Sequence, residues 1–244
     1  MLHTPVSCYI AFNSPRSQES CSRKVALALK FEIEIKLRLP EKLGKIQQAL
    51  HDLGFRIAKH RALESNVLFD NSKRALRRHG KLIRVRKTGS TSVLTFKGPS
   101  QPGKYKKRQE IEIDLPDAAG IDEILTHIGY HPVFRYEKFR TEYARLSNTG
   151  KVMLDETPIG NFLEIEGSPR WIDQTARLLG FATTDYISRS YGYLYLAYCR
   201  ERRTRPKDML FTEKQLKKRA RKNHSEPAKA HKSSAGRRKK RSSR

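Results

Sequence analysis

Charged and apolar residues alternate strictly in several short stretches of this chain, and this alternation limits its fold more than any other feature. Within residues 31–39, Glu32, Glu34, Lys36 and Arg38 occupy every second position, and apolar residues lie between them. Successive side chains of a β-strand point to opposite faces, so this stretch predicts a strand with one charged and one apolar face. Taken alone, the pattern is typical of an antiparallel sheet with one face in water.

The alternation recurs in three further stretches, and the recurrence favours a different interpretation. The charged positions there are Arg84 and Arg86; Lys106, Arg108, Glu110 and Glu112; and Glu164 and Glu166. If these strands close into one barrel, helices can cover the apolar faces outside while the charged faces line the interior. Buried charges are tolerated only when they are paired, hydrated or matched to a ligand. The interior of such a barrel must therefore bind charge or stay wet.

Turn residues and hydrophobic periodicity predict eight strands and several helices. The strands are predicted near 31–39, 66–70, 81–87, 92–97, 106–114, 133–145, 151–156 and 161–166. Helices are predicted at 40–53, 118–128, 169–179 and 184–200, with a further short helix after residue 201. The predicted class is therefore mixed α and β with a mostly antiparallel sheet.

Composition divides the chain into three parts. Residues 1–29 are rich in serine and lack periodicity, which predicts either a flexible extension or a misplaced start. Residues 30–200 form the predicted folded domain, and residues 201–244 form a basic, largely disordered tail. The tail holds 18 of the 51 lysine and arginine residues but only four acidic ones, so it carries more than half of the net charge of +26. This charge indicates anionic partners, and the tail is a candidate for nonspecific binding of nucleic acid or polyphosphate.

The three cysteines, Cys8, Cys21 and Cys199, show no zinc-ligand spacing and cannot complete a disulfide framework. A reducing compartment, the cytoplasm, is the simplest expectation. The chain also shows no signal-like start and no apolar run of about 20 residues, so we expect no membrane partner.

The predicted strands carry residue types that suit a metal-bound polyphosphate. The carboxylates of Glu32, Glu34, Asp155, Glu164 and Glu166 supply the hard oxygen ligands that Mg²⁺ or Mn²⁺ prefers. The cations of Lys36, Arg84, Arg86, Lys97 and Arg140 suit phosphate oxygens. Both signs of charge are thus matched by one ligand.

The opening Glu32-x-Glu34-x-Lys36 resembles the signature of the CYTH family, also called triphosphate tunnel metalloenzymes. The resemblance covers residues 31–198 and is closest to proteins like the bacterial class IV adenylate cyclases. It extends through Leu82-Ile83-Arg84-Val85-Arg86, Leu94-Thr95-Phe96-Lys97-Gly98, Glu110-Ile111-Glu112, Lys138-Phe139-Arg140, Asp155, Phe162-Leu163-Glu164-Ile165-Glu166-Gly167 and Ser190-Tyr191.

The resemblance implies an α+β fold, an eight-stranded antiparallel closed β-barrel (tunnel) with a charged interior, flanked by helices. It implies that Glu32, Glu34, Asp155, Glu164 and Glu166 hold one or two divalent metals. It implies that Lys36, Arg84, Arg86, Lys97, Lys138 and Arg140 bind the triphosphate. Glu32, Glu34, Lys36 and Arg189 are the catalytic candidates, and Glu110, Glu112 and Tyr191 are secondary ones. Arg189 departs from the expected lysine, and arginine is a poor proton acceptor.

Three functions stay open at this point. The first is cyclisation of ATP to cyclic AMP and pyrophosphate, as in class IV adenylate cyclases. The second is hydrolysis of an inorganic or organic triphosphate, such as tripolyphosphate, thiamine triphosphate or a nucleoside triphosphate, in an almost identical site. The third is a non-catalytic module that binds polyphosphate or RNA with the help of the basic tail. The oligomeric state is not indicated.

Overall fold

The computed structural model describes residues 31–116, 118–146 and 150–223, and eight antiparallel strands within them form a closed barrel. The order around the barrel is β1-β5-β4-β3-β2-β6-β7-β8, and β8 pairs with β1 to close it. This architecture confirms the predicted fold class. The predicted extension at residues 1–29 and the end of the tail at 224–244 lie outside the described residues.

The eight strands and six helices have the following bounds. The strands are β1 (Phe31–Leu39), β2 (Arg56–Asp70), β3 (Leu82–Thr88), β4 (Thr91–Lys97), β5 (Lys106–Leu115), β6 (His131–Ala144), β7 (Lys151–Thr157) and β8 (Gly160–Glu166). The helices are α1 (Gly44–Asp52), α2 (Ala75–Arg78), α3 (Ala118–His127), α4 (Pro169–Leu178), α5 (Tyr191–Glu201) and α6 (Glu213–Asn223). Among these residues, no helix is both long enough and apolar enough to span a bilayer.

The apolar faces of the strands form cores on the outside of the barrel. Ile35, Leu37, Leu163 and Ile165 of β1 and β8 are fully buried in one cluster that also includes Ile172 of α4. A second cluster places Leu125 of α3 against the outer residues of β2 and β3. Burying each such side chain stabilises the fold by roughly 1.5–3 kcal/mol, which helps offset the cost of a charged interior.

One end of the barrel is filled by a different, aromatic cluster. Tyr136, Phe162 and Tyr191 pack there with Ile159 and Met209. Tyr191 is the first residue of α5, whose N-terminus is capped by the side chain of Ser190. The cluster therefore seats the start of α5 beside the interior of the barrel.

Two short segments pair with strand edges that the neighbouring strands leave free. The backbone amide and carbonyl of Ile187 form hydrogen bonds of 2.8 and 3.0 Å with the carbonyl and amide of Lys36 in β1. Lys36 lies beyond the part of β1 that pairs with β5. Met209 forms a parallel bridge to β6: its amide donates to the Arg135 carbonyl, and its carbonyl accepts from the Glu137 amide. Buried backbone groups need partners, so these bridges complete the barrel wall where the tilted strands end unevenly.

The structure extends or shortens some of the predicted elements. β2 begins at Arg56 rather than near residue 66, because register shifts at Ile57, Lys59 and Ala62 break the period-two pattern that predicts a strand. The last helix of the predicted domain begins at Tyr191 rather than near residue 184, because Ile187 is committed to pairing with β1. The short helix α2 was not predicted.

The first part of the predicted tail packs against the barrel. Met209 and Phe211 are buried, and Arg219 of α6 contacts Glu156 of β7. α6 is the short helix expected after residue 201. The described chain thus stays attached to the barrel beyond residue 200, and the proposed boundary between domain and tail remains a prediction.

The Met209 contact predicts a measurable contribution of this segment to stability. Met209 is only 1% exposed whereas its neighbour Leu210 is 42% exposed. Met209→Ala should lower the free energy of unfolding by about 2–5 kcal/mol through the lost burial and the cavity left behind. Leu210→Ala, the matched control, should change it by less than about 1 kcal/mol. Equal urea midpoints for the two variants would contradict the packing described.

Candidate functional site

The interior of the barrel is a cavity of about 820 Å³ lined by nearly equal numbers of cations and carboxylates. The cations are Lys36, Lys59, Arg84, Arg86, Lys97, Lys106, Arg108, Lys138, Arg140 and Lys151. The carboxylates are Glu32, Glu34, Glu64, Glu110, Glu112, Asp114, Glu142, Glu164 and Glu166. The protein alone therefore leaves this cavity close to electrical neutrality.

β1 and β8 bring four of the predicted site residues together. Their registers place Glu34 opposite Glu166 and Lys36 opposite Glu164, all on the inner face. The Lys36 ammonium lies 2.9 Å from Glu34 Oε1 and 3.0 Å from Glu164 Oε1. Each of these three side chains is at most 6% exposed. Lys36 thus bridges two carboxylates of adjacent strands.

Glu32 and Glu110 are bridged in the same manner by Lys97. The Lys97 ammonium lies 2.6 Å from Glu32 Oε2 and 2.8 Å from Glu110 Oε1. Glu32 also lies 3.6 Å from Nε of Arg108. Lys97, a predicted phosphate-binding residue, and Glu32, a predicted metal ligand, therefore neutralise each other's charge.

Asp155 is fully buried and collects donors from several elements. Both Nε and Nη2 of Arg140 donate to it at 2.6 Å, Lys138 donates at 3.0 Å, and the Tyr191 hydroxyl donates at 2.7 Å. Arg140 Nη2 also donates to Glu164 at 2.5 Å. Asp155 therefore positions the two cations and the start of α5, and the structure ties the secondary candidate Tyr191 to the site.

Arg84 and Arg86 of β3 contact a common carboxylate, Glu112 of β5. Their Nη2 atoms lie 3.3 and 3.2 Å from Glu112 Oε1, and Thr95 Oγ1 donates to the same oxygen at 3.0 Å. Arg84 is 8% exposed, and its buried Nε has no hydrogen-bond acceptor among the described residues. An unpaired buried guanidinium donor suits an anionic ligand.

The carboxylates of β1 and β8 differ in the direction in which their pKa values are shifted. Although burial raises it, the pKa of Glu34 is held well below its usual range by Lys106, Lys36 and further cations. The pKa of Glu164 is likewise lowered well below its usual range, by Lys36 and Arg140 against burial. By contrast, burial raises the pKa of Glu166; Lys151, 3.1 Å away, opposes this only in part, and Glu32 and Glu34 add to it. Glu166 is thus the acidic residue of this group with too few cations around it.

The acidic residues of β1 and β8 fit a divalent metal by their chemistry. Carboxylate oxygens are the donors that Mg²⁺ and Mn²⁺ prefer, and Glu32 and Glu34 lie close enough to Glu166 to affect its pKa. Within the described ranges, no three acidic, histidine or cysteine side chains converge on one point. Lysine ammonium groups stand between them instead, so a metal here would take the place of an ammonium group.

The fully buried Asp155 is absent from the lining of the cavity, and so is Arg189. The Arg189 side chain is exposed and its guanidinium stacks over the Tyr193 ring, 4.8 Å from the ring centre. Ile187 is bound to β1 and Ser190 caps α5, which leaves Arg189 on the outer side of the turn between them. The catalytic role expected for Arg189 stays a prediction, and in this structure its guanidinium contacts Tyr193 rather than the cavity.

Several further charged residues line the cavity without having been assigned a role, and Lys106, Arg108 and Glu64 are among them. Lys106 and Arg108 belong to the alternating stretch of β5, and that spacing already placed them on the face of Glu110 and Glu112. Burial and nearby cations, opposed by Glu34, lower the pKa of Lys106 to about 8. Glu64 lies opposite Lys138 in the regularly paired part of β2, just before the predicted start of this strand near residue 66.

The end of the cavity next to α5 is apolar. Leu68 and Phe134, opposite each other on β2 and β6, line it with Leu82 of β3. Phe134 stacks on Tyr136 with ring centres 5.9 Å apart. This end is separated from Arg84 by two positions along β3, so an apolar group and a phosphate could bind side by side.

Comparison with known proteins agrees with this geometry. The sequence model of the CYTH domain matches residues 30–191, the segment that forms the barrel and the start of α5. The chain belongs to the CYTH domain family. A protein of Methanocaldococcus jannaschii that is named a candidate adenylate cyclase is 28% identical over 148 residues, which cover 61% of this chain and 83% of that protein.

Solved structures of CYTH-like proteins share the fold. A candidate adenylate cyclase from Vibrio parahaemolyticus superposes with a TM-score of 0.60 at 18% identity, over 68% of this chain and 97% of that one. An adenylyl cyclase candidate from Hippeastrum, described as having a dominant triphosphatase activity, gives a TM-score of 0.52 at 16% identity, over 69% and 95%. At these identities the likeness concerns the fold alone.

The paired interior predicts a specific loss of stability in acid. Although burial opposes it, Lys138, Arg140 and Arg86 lower the pKa of Glu64 to about 2. The stabilisation from this depressed pKa is present above about pH 4.3, the value of an unfolded glutamate, and is lost as the pH falls towards 2. Glu64→Gln should therefore be less stable than the wild type by up to about 3 kcal/mol at pH 6, with the difference shrinking at low pH.

Urea unfolding at a series of pH values measures this difference. Glu123→Gln is the matched control, because the Glu123 side chain is 76% exposed. Its stability should stay within about 0.5 kcal/mol of the wild type at every pH. A pH-independent difference for Glu64→Gln would contradict the depressed pKa.

Proposed function

We propose that this chain is a divalent-metal-dependent enzyme that acts on a triphosphate, with cyclisation of ATP to cyclic AMP and pyrophosphate as the first candidate reaction. The observation that carries the proposal is the interior of the barrel, where cations and carboxylates in nearly equal numbers surround one cavity. So many buried charges are not expected in an interior without a ligand, because each buried charge lowers the stability of the fold by several kcal/mol unless it is compensated.

The charge balance supports a metal as well as an anion. A triphosphate alone would bring several negative charges into a cavity that is already near neutrality. Magnesium or manganese would supply the missing positive charge and polarise the phosphoryl group. Glu32, Glu34 and Glu166 are the residues proposed to hold it, with Glu164 and Asp155 as further candidates.

The cationic residues are proposed to grip the phosphates. Arg84 and Arg86 share Glu112, while Lys138 and Arg140 share Asp155, so each pair is already oriented before an anion arrives. Fixed donors that need not reorganise stabilise the charge of a phosphoryl transition state effectively. Lys36 and Lys97 complete the proposed set on the side of the acidic residues.

The apolar end favours an organic triphosphate over an inorganic one. Phe134, Leu68 and Leu82 offer a surface on which a nucleobase could stack, and tripolyphosphate has no group to place there.

In the cyclase reaction the ribose 3′-oxygen forms a bond to the α-phosphorus while the bond between the α-phosphorus and the oxygen that bridges to the β-phosphate breaks. Pyrophosphate leaves, and a cavity carboxylate or solvent takes the hydroxyl proton.

Hydrolysis is the alternative reaction of the same site. There a water molecule attacks the terminal phosphorus, and the same cations hold the chain of phosphates. The Hippeastrum protein, which shares the fold, is named as a cyclase candidate yet described by a dominant triphosphatase activity. Both products must therefore be measured. The non-catalytic module is the third alternative, supported by the basic residues after Arg200.

Product analysis separates the three functions. The purified chain is incubated with ATP or tripolyphosphate and either Mg²⁺ or Mn²⁺, and the products are resolved by ion-exchange chromatography. We expect cyclic AMP and pyrophosphate in equal amounts from ATP. Orthophosphate without cyclic AMP would replace the cyclase proposal by hydrolysis, and binding without any product would leave the non-catalytic module.

A single substitution tests the proposed metal ligands. Glu34→Gln keeps the shape of the side chain but removes the charge that a divalent cation requires, so metal-dependent turnover should fall by about 100-fold or more. Glu123→Gln, on an exposed side chain of α3, should retain wild-type turnover. A Glu34→Gln variant with normal turnover and an unchanged thermal midpoint would remove Glu34 from the site.

A further inference from the structure

Lys106 differs from the other buried lysines of the cavity in the carboxylates that it contacts. Lys36 bridges two carboxylates, Glu34 and Glu164, at 2.9 and 3.0 Å. The Lys106 ammonium lies 2.7 Å from Glu34 Oε1, and Glu34 is the one carboxylate within ion-pair distance of it among the described residues. Lys106 therefore shares its single partner with a lysine that has a second one.

Lys97 and Lys138 show the same contrast with Lys106. Lys97 lies between Glu32 and Glu110, and Lys138 contacts Asp155 at 3.0 Å and a second carboxylate at 3.5 Å. Each of these lysines would keep one acidic partner if the other were taken away. Lys106 would keep none.

The surroundings of Lys106 also oppose its positive charge. Its side chain is only 7% exposed, so few water molecules can reach it if its partner is lost, and Lys36, Lys97 and Arg108 lie near enough to repel it. A further cation bound at Glu34 would compete with Lys106 for the same oxygen and add to that repulsion. Of these four lysines, Lys106 is the one that a metal would displace most easily.

We propose that Lys106 is an exchangeable counterion. It neutralises Glu34 until a divalent cation binds to Glu34, and its ammonium group then moves to form an ion pair with a phosphate oxygen of the bound triphosphate. This rests on the proposed function, since it requires metal and triphosphate in the same cavity. No covalent bond changes. Lys106 thereby acts as a positioning residue that makes metal and anion binding depend on each other.

The first test measures Mn²⁺ binding without any anion, by the electron paramagnetic resonance signal of free Mn²⁺. Lys106→Met removes the competitor for Glu34, so Mn²⁺ should bind about tenfold more tightly than to the wild type. Lys107→Met is the matched control. It makes the same charge change one position along β5, where the ammonium lies over the Phe31 ring on the outer face. Its Mn²⁺ affinity should stay within about twofold of the wild type.

The second test measures how strongly Mn²⁺ promotes anion binding. Calorimetry with the bis(methylene) analogue of tripolyphosphate, which cannot be cleaved, is run with and without Mn²⁺. In the wild type, Mn²⁺ should strengthen anion binding, because it frees Lys106 for the phosphate. In Lys106→Met this enhancement should shrink by about tenfold, while Lys107→Met should retain it.

The outcomes separate this inference from the proposed function. If Lys106→Met binds Mn²⁺ no more tightly than the wild type, or retains the full enhancement, Lys106 is a fixed structural counterion and the inference is wrong. If the wild type itself binds neither Mn²⁺ nor the triphosphate analogue, the inference is wrong, and the proposed function fails with it if ATP and Mn²⁺ also give no product. Lys106→Gln, which keeps a polar group near Glu34, replaces the methionine variant in both tests if that variant does not fold.

Discussion

The fold depends on the compensation of charges that face the inside of a closed barrel. A buried lysine or glutamate without a partner would cost several kcal/mol, a large fraction of the stability of a domain of this size. Lys36 contacts Glu34 and Glu164, and Asp155 accepts from Arg140, Lys138 and Tyr191. The strand pairings that bring these groups together therefore also offset the free-energy cost of burying their charges.

The compensation also explains why the interior can respond to a ligand. Every predicted metal ligand already contacts a lysine or arginine, so a metal cannot bind to these carboxylates without changing existing ion pairs. A ligand of one sign alone would leave uncompensated charge behind. A ligand that brings both signs, such as a metal-bound triphosphate, can exchange partners with the protein at little electrostatic cost. The site is thus better suited to a pair of ligands than to either one.

The sequence predicts much of this arrangement because a period of two is easily read where strands are regular. All eight strands and the inner residues of β1, β3, β5 and β8 follow from it. The family does not follow from the period but from the resemblance of Glu32-x-Glu34-x-Lys36 and the later motifs to the CYTH signature. The beginning of β2 was not predicted from this period. Its bulges bring the consecutive residues Lys59 and His60 both to the cavity, so charged and apolar positions do not alternate there.

The placements around Lys36 show why the rest could not be predicted. The backbone of Ile187 pairs with that of Lys36, and a single long-range bridge of this kind leaves no periodic signal. It shortens the last helix of the predicted domain and turns Arg189 outward. The role proposed for Lys106 likewise has no local sequence signal, since it depends on which carboxylates of β1 and β8 lie within reach of Lys106 and of Lys36.

Alternation along the strands has a consequence for how this protein can change in length. Deleting or inserting one residue in the middle of β1 would turn every following side chain to the opposite face, so Ile35 and Leu37 would point into the cavity and Lys36 into the outer core. Substitutions remove one contact at a time, whereas such an indel exchanges the two environments of a whole strand. Variation in length among relatives should consequently be confined to the connections between strands, and the strands themselves should diverge by substitution alone.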